Sequence, residues 1–298
     1  MFKNIVVLDD TGINSESKKK LHQFAQEVDI YEDRPDESET IKRIGDADGV
    51  LVSLNTPITR KIMDACPNIR YIGMSCSIID EKSCNVDISA AKEKGIVVTG
   101  IYDYGDNGVV EFLISELVRL LHGFGGKLWK DQPYEFTNLK MGIIGLGTAG
   151  YMVAKAFDFL GADVYYYSRT RKNHAEEEGI KYLPLDELLK TVEIVSTHLP
   201  RHTCLLNERE FDIFGNNKIL LNTSLGPVFS VPALKKWLTN SKNFYICDKD
   251  GMGLYMDELG HLPNVIVGYK SAGATTEMVK RRSKKVLENI EKFLEENK

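Results

Sequence analysis

The chain has 298 residues, long enough for two domains that each bury a core without disulfide or metal support. Hydrophobic residues make up 43% and charged residues 27%, which excludes a disordered tail and a low-complexity fibre. Lys and Arg number 38 against 43 Asp and Glu, a net charge of −5, which argues against a nucleic-acid footprint.

At the start, Met1-Phe2-Lys3-Asn4-Ile5-Val6-Val7-Leu8-Asp9-Asp10 sets acidic residues straight after an apolar run, the pattern of a first buried strand and not of a signal peptide. Apolar runs of strand length follow at 21–28, 49–54, 70–74 and 95–99, with amphipathic stretches between them. Apolar spacing then predicts a helix over 107–121, ended by the glycine-rich break at 122–126. A second series predicts strands at 141–145, 163–167, 193–198, 218–223, 243–248 and 264–267. Short helices fit 186–189, 207–214 and 231–239, and a long amphipathic one fits 275–296. Strands that are apolar throughout, alternating with helices, are those of parallel α/β sheets buried on both faces.

No run approaches the roughly 18 uninterrupted apolar residues of a membrane helix. Cys66, Cys76, Cys84, Cys204 and Cys247 are odd in number and lack a CxxC pair, which points to reduced thiols and a cytoplasmic location. The histidines His22, His122, His174, His198, His202 and His261 have no HxxxH or HExxH spacing, so no metal site is expected. Cys76 and Cys84 have no adjacent histidine and read as small buried hydrophobes.

The second series opens with Gly145-Leu146-Gly147-Thr148-Ala149-Gly150, a GxGxxG turn between strand and helix. There Gly145 permits the tight turn, Gly147 lets a pyrophosphate approach the backbone, and Gly150 lets the helix pack on the strand. Thr148 and Ala149 lie at the helix start. At the end of the following strand, where an acidic residue would read the NAD ribose, stands Ser168-Arg169-Thr170-Arg171. Two guanidinium groups and two hydroxyls suit a 2′-phosphate, so NADP is the expected cofactor, with NAD possible.

With this turn in place, the chain resembles the D-isomer-specific 2-hydroxyacid dehydrogenase family over most of its length. The resemblance is carried by Lys94-Gly95-Ile96-Val97-Val98-Thr99, the glycine turn, Val195-Ser196-Thr197-His198-Leu199-Pro200, Leu220-Leu221-Asn222-Thr223-Ser224, Leu262-Pro263-Asn264-Val265-Ile266-Val267 and Ala272-Gly273-Ala274-Thr275. It implies two Rossmann-like parallel-sheet α/β domains around a cleft. Residues 1–105 with 272–298 would form the substrate-binding domain and 106–271 the dinucleotide-binding domain. It also implies cofactor contacts at His198, Leu199 and Pro200 on the adenosine side, at Thr223 and Ser224 on the nicotinamide side, and at Asp248. A homodimer through the dinucleotide domain is implied as well, although the 122–138 segment that would make its arm is short.

The family's catalytic positions are where this chain departs. Thr223-Ser224-Leu225-Gly226 puts Leu225 in place of the arginine that holds a substrate carboxylate. Lys249-Asp250-Gly251-Met252-Gly253 offers no match for the glutamate, and Gly268-Tyr269-Lys270-Ser271 puts Lys270 in place of the histidine. The substrate loop, 74–87, is lengthened and lacks its glycine, while Asn85 and Asp87 are kept. Tyr102, Tyr104 and Asp106 in the hinge segment are candidates for lining the cleft. Two readings stay open: an oxidoreductase with Lys270 as acid/base and an uncharged or bulky carbonyl substrate, or a nucleotide-binding regulatory protein without hydride chemistry.

Overall fold

The computed structural model describes residues 1–78, 81 and 84–297. Ile79, Asp80, Lys82 and Ser83 of the lengthened loop lie outside the described residues. Two compact units emerge: unit 1 is Met1–Tyr104 with Thr275–Lys298, and unit 2 is Gly105–Ala274.

Unit 1 runs β1 (Phe2–Val7), α1 (Ser15–Lys20), β2 (Ala25–Ile30), α2 (Glu37–Ile44), β3 (Gly49–Val52), α3 (Arg60–Ala65), β4 (Tyr71–Met74), α4 (Ile88–Glu93) and β5 (Val97–Thr99). Among the described residues these strands form one parallel sheet in the order β2-β1-β3-β4-β5. Neighbouring residues of one strand feed opposite cores: Val6, Val50 and Ile72 face one side, Val7, Leu51 and Tyr71 the other. That two-sided burial is why β3 and β4 read as unbroken apolar runs.

The apolar run at 21–28 is not a single strand. Leu21–Gln23 forms a 3-10 turn and β2 begins at Ala25. As an edge strand, β2 leaves most of its side chains to solvent, so the buried Leu21 anchors the turn and not the sheet. Lys18-Lys19-Lys20 closes the last turn of α1, where lysines offset the exposed carbonyls. Asn14 caps the other end, its side chain accepting the Ser17 N–H at 2.8 Å.

Unit 2 runs α5 (Asp106–His122), β6 (Lys140–Ile144), α6 (Thr148–Phe159), β7 (Asp163–Tyr167), α7 (Asn173–Glu177), β8 (Lys181–Tyr182), α8 (Leu185–Thr191) and β9 (Ile194–Thr197). It continues with α9 (Glu208–Phe214), β10 (Ile219–Asn222), α10 (Val231–Trp237), β11 (Phe244–Cys247), α11 (Lys249–Met252), α12 (Met256–Leu259) and β12 (Val265–Val267). The order β12-β11-β10-β9-β6-β7-β8 is parallel throughout the described residues. From β6 the chain builds outward through β7 and β8, then returns to place β9 on the other side of β6. The switch point beside β6 is where open α/β sheets bind ligands.

The last element, α13 (Thr276–Glu296), belongs to unit 1. Thr275 caps it by accepting the Met278 N–H at 3.0 Å. Met278, Val286, Ile290 and Phe293 form its buried stripe, and Phe293 stacks on Phe2 at 5.4 Å.

Candidate nucleotide-binding and catalytic site

The glycine turn leaves β6 at the switch point, and its three glycines are required for different reasons. Gly145 has φ +93°, and a Cβ there would stand 2.2 Å from the His198 carbonyl oxygen. A Cβ on Gly150 would lie 2.0 Å from the Gly145 carbonyl oxygen, so Gly150 sets how closely α6 approaches the turn. Gly147 is different. Its φ of −81° is open to any residue, and a Cβ there meets nothing within 4 Å. Neither strain nor internal packing calls for glycine at 147. What its absent side chain leaves is open space over the start of α6, where Gly147 is an N-cap without a side-chain hydrogen bond. The first N–H groups of that helix point at this space, as a pyrophosphate requires. Thr148 is exposed and Ala149 half-buried at the same helix start.

At the end of β7, Ser168 is half-buried and Thr170 is exposed. The two arginines behave differently. Arg171 is held by Glu176, through Nε at 3.0 Å and a closer Nη2 contact, and its guanidinium lies over the Tyr182 ring at 5.1 Å. The Arg171 guanidinium and the Tyr166 hydroxyl hold the Glu176 carboxyl down to about 2. Arg169 is exposed and makes no ion pair among the described residues.

The strand ends of β9, β10 and β11 are sewn together by a buried polar network whose centre, Asn222, carried no functional assignment from sequence. Its Oδ1 accepts from the Thr197 hydroxyl and the Ser224 N–H, both at 3.0 Å, and its Nδ2 donates to the carbonyls of Gly226 and Gly251, both at 3.1 Å. The only local sign of it is a fully buried amide ending an apolar strand. Ser224 is also occupied: its hydroxyl donates to the Thr197 carbonyl at 3.2 Å and accepts the Leu199 N–H at 3.0 Å. Thr223 Oγ1, by contrast, is buried without a hydrogen-bond partner, an orphaned group at the end of β10. Together with the space at Gly147, that orphan fits a bound dinucleotide. Leu199 and Pro200 continue from β9 half-buried.

Asp248 follows β11 and is 2% exposed. One oxygen accepts the Gly251 N–H and the other the Ala272 N–H, each at 2.7 Å, and burial pushes its carboxyl up. The Lys249 N–H donates to the Lys270 carbonyl at 3.2 Å. Asp248 thus fastens the stretch that carries Lys270, whose side chain is exposed. Leu225 is 44% exposed beside Gly226, whose N–H donates to the Asp250 carbonyl at 3.0 Å.

His198 lies with Nε2 at 2.9 Å from Ser196 Oγ, and burial pushes its imidazole down to about 4. An unfolded histidine titrates near roughly 6.5, so the unfolded chain takes up the proton first. Stability is therefore complete above about pH 6.5 and falls by about 3 kcal/mol as pH drops towards His198's folded value. Urea denaturation of His198→Asn is expected to show that limb flattened; an unchanged slope assigns it elsewhere.

Cys76 is buried, and burial pushes the half-buried Cys84 thiol up, which leaves it a poor nucleophile. Among the described residues no group of three or more His, Cys, Asp or Glu is arranged to hold a metal ion, and no helix is long and apolar enough to cross a membrane.

The profile of the D-isomer specific 2-hydroxyacid dehydrogenase catalytic domain matches residues 5–298. The chain belongs to that family. A hydroxypyruvate reductase of Blautia hydrogenotrophica is 32% identical to this 2-hydroxyacid dehydrogenase homologue over 227 residues, covering 70% of this chain and 69% of the relative. A glyoxylate reductase of Korarchaeum cryptofilum is 27% identical over 301 residues, covering 90% and 86%. Among solved structures, an acyclic imino acid reductase in complex with NADPH and D-Arg superposes with a TM-score of 0.82 at 21% identity, over 98% of this chain and 97% of that one. That likeness establishes the shared fold. Family membership places the chain among NAD(P)-dependent oxidoreductases.

Proposed function

We propose that this 2-hydroxyacid dehydrogenase homologue is an NADP-preferring oxidoreductase acting on a carbonyl or hydroxy compound, with Lys270 as the acid/base. The observation that carries the reading is the glycine at 147, whose missing side chain leaves room above the α6 N-terminus for a ligand and for nothing in the protein itself. When bound, the nucleotide supplies or accepts the hydride at its nicotinamide. The α6 N–H groups hold the pyrophosphate, and the unpaired Thr223 hydroxyl gains a partner on the nicotinamide side. Lys270 Nζ gives a proton to the carbonyl oxygen during reduction and removes one from the hydroxyl during oxidation. Asp248 keeps the Lys270 stretch in place through the Ala272 N–H.

Cofactor preference rests on Arg169. Because Glu176 already occupies Arg171, Arg169 is the one of the two whose guanidinium makes no ion pair among the described residues and can take a 2′-phosphate. Calorimetric titration is expected to show NADPH binding more tightly than NADH. Arg169→Ala should weaken NADPH about tenfold and leave NADH unchanged, while Arg171→Ala should change NADPH by less than about threefold. Equal affinity for the two nucleotides rejects the preference.

The substrate class follows from Leu225, which we read as standing where the family clamps a carboxylate. A carboxylate against leucine loses its water without gaining a countercharge, at a cost of about 1–3 kcal/mol or more. Uncharged or bulky carbonyls avoid that cost. They are expected to outperform pyruvate, glyoxylate and hydroxypyruvate, and Leu225→Arg is expected to raise turnover of those acids. Efficient reduction of small oxo acids by the unmodified protein overturns this.

The second reading, a nucleotide-binding protein without hydride chemistry, draws support from the exposed position of Lys270, whose side chain makes no ion pair among the described residues. The odd number of cysteines without a CxxC pair supports a cytoplasmic setting, and exposed Phe124 and Tyr134 in the 122–138 segment support a homodimer.

A further inference from the structure

The first turns of α13 are laced to the loops that follow β1 and β5. Arg281 Nε donates to the Tyr104 carbonyl at 2.8 Å, and Ser283 Oγ accepts the Asn14 N–H at 2.9 Å. Between them Arg282 is half-buried, its guanidinium carbon 5.3 Å from the centre of the Tyr104 ring. Its Nη1 lies over Gly12, where φ is +65° and a Cβ would stand 2.0 Å from that nitrogen. Backbone and aromatic ring have thus made a place for a guanidinium.

Among the described residues no carboxylate fills it. Among the described residues Arg282 makes no ion pair, and its buried Nε has no hydrogen-bond partner. Next to Gly12, Thr11 is 2% exposed and its Oγ1 is likewise unpartnered. Arg43, another half-buried arginine of this unit, shows the contrast. It pairs with Asp33 and Glu39 and also donates to the Leu8 and Asp33 carbonyls. A partly desolvated cation without a counter-ion is unfavourable, and an anion from solution removes the deficit.

We propose that Arg282, with Tyr104 and the turn at Gly12, forms a binding site for a small carboxylate. The planar fork of the guanidinium matches two carboxylate oxygens, and the loops concerned lie at the carboxyl edge of the unit 1 sheet, where α/β sheets bind ligands. The Arg282 fork and the Tyr104 phenol suit a monoanion, since the neighbouring Arg281 has its Nε on the Tyr104 carbonyl. The site stands on unit 1 alone and is independent of the function proposed above.

The test is an NMR titration of the full chain at constant ionic strength, following the Arg282 Nε–H resonance, with acetate, propionate and inorganic phosphate as probes. Saturable carboxylate shifts with a dissociation constant on the order of 1–10 mM are expected. Arg282→Gln, followed through backbone amides of residues 11–14, should weaken them about tenfold, with Arg282→Lys in between and NADPH affinity unchanged. Should Arg282→Gln fail to fold, Tyr104→Phe keeps the ring and removes the hydroxyl, with about a threefold loss expected. Absence of saturable binding, carboxylate affinity unchanged in the variants, or phosphate bound more tightly than either carboxylate overturns the proposal.

Discussion

Gly147→Ala is expected to lower NADPH affinity about 100-fold while costing the fold no more than about 1 kcal/mol. The added methyl meets no protein atom within 4 Å and φ is −81°, so the folded chain accommodates it. The same methyl enters the space from which we argue that the pyrophosphate contacts the α6 N–H groups, and there it separates charge from donor. Gly150→Ala is the opposite case. Its Cβ would sit 2.0 Å from a backbone oxygen, which no rotamer relieves, so a loss of several kcal/mol of stability is expected. Calorimetric titration and urea denaturation of the two variants separate the effects. If Gly147→Ala binds NADPH as the unmodified chain does, the turn is not a nucleotide cradle.

For Lys270→Ala, a fall in turnover of about 1,000-fold is expected, with NADPH affinity within about twofold. The side chain is exposed and its backbone carbonyl already accepts the Lys249 N–H, so truncation leaves the surrounding loop intact. An effect confined to kcat marks proton transfer; an effect on KM alone marks substrate binding and removes Lys270 from the acid/base role. If no carbonyl compound oxidises NADPH while the nucleotide binds and alters assembly, the binding-protein reading replaces the enzymatic one.

Local pattern was enough for much of this molecule. The strand Asp163–Tyr167 and the helix Thr276–Glu296 sit where apolar spacing puts them, because burial on one stripe or on two faces is written into every few residues. The glycine turn was legible for the same reason, since its constraints act within one turn of chain. The two-residue strand Lys181–Tyr182 was not, being too short to show a period. Nor was the break between Leu21 and Ala25, which an edge position imposes.

What the amino-acid order left undecided was which polar group meets which. Arg169 and Arg171 look equivalent as a string, yet Glu176 takes only the second. Asp248 reads as a cofactor ligand, and its two oxygens are engaged by the N–H groups of Gly251 and of Ala272, the latter 24 positions away. Arg282 reads as one more charge on an amphipathic helix, and folding sets it against Tyr104 and Gly12 with no ion pair among the described residues. Apolar burial is non-directional and announces itself by period, whereas a hydrogen bond needs one partner at one angle. Which partner arrives is decided only when distant segments are brought together by the tertiary structure.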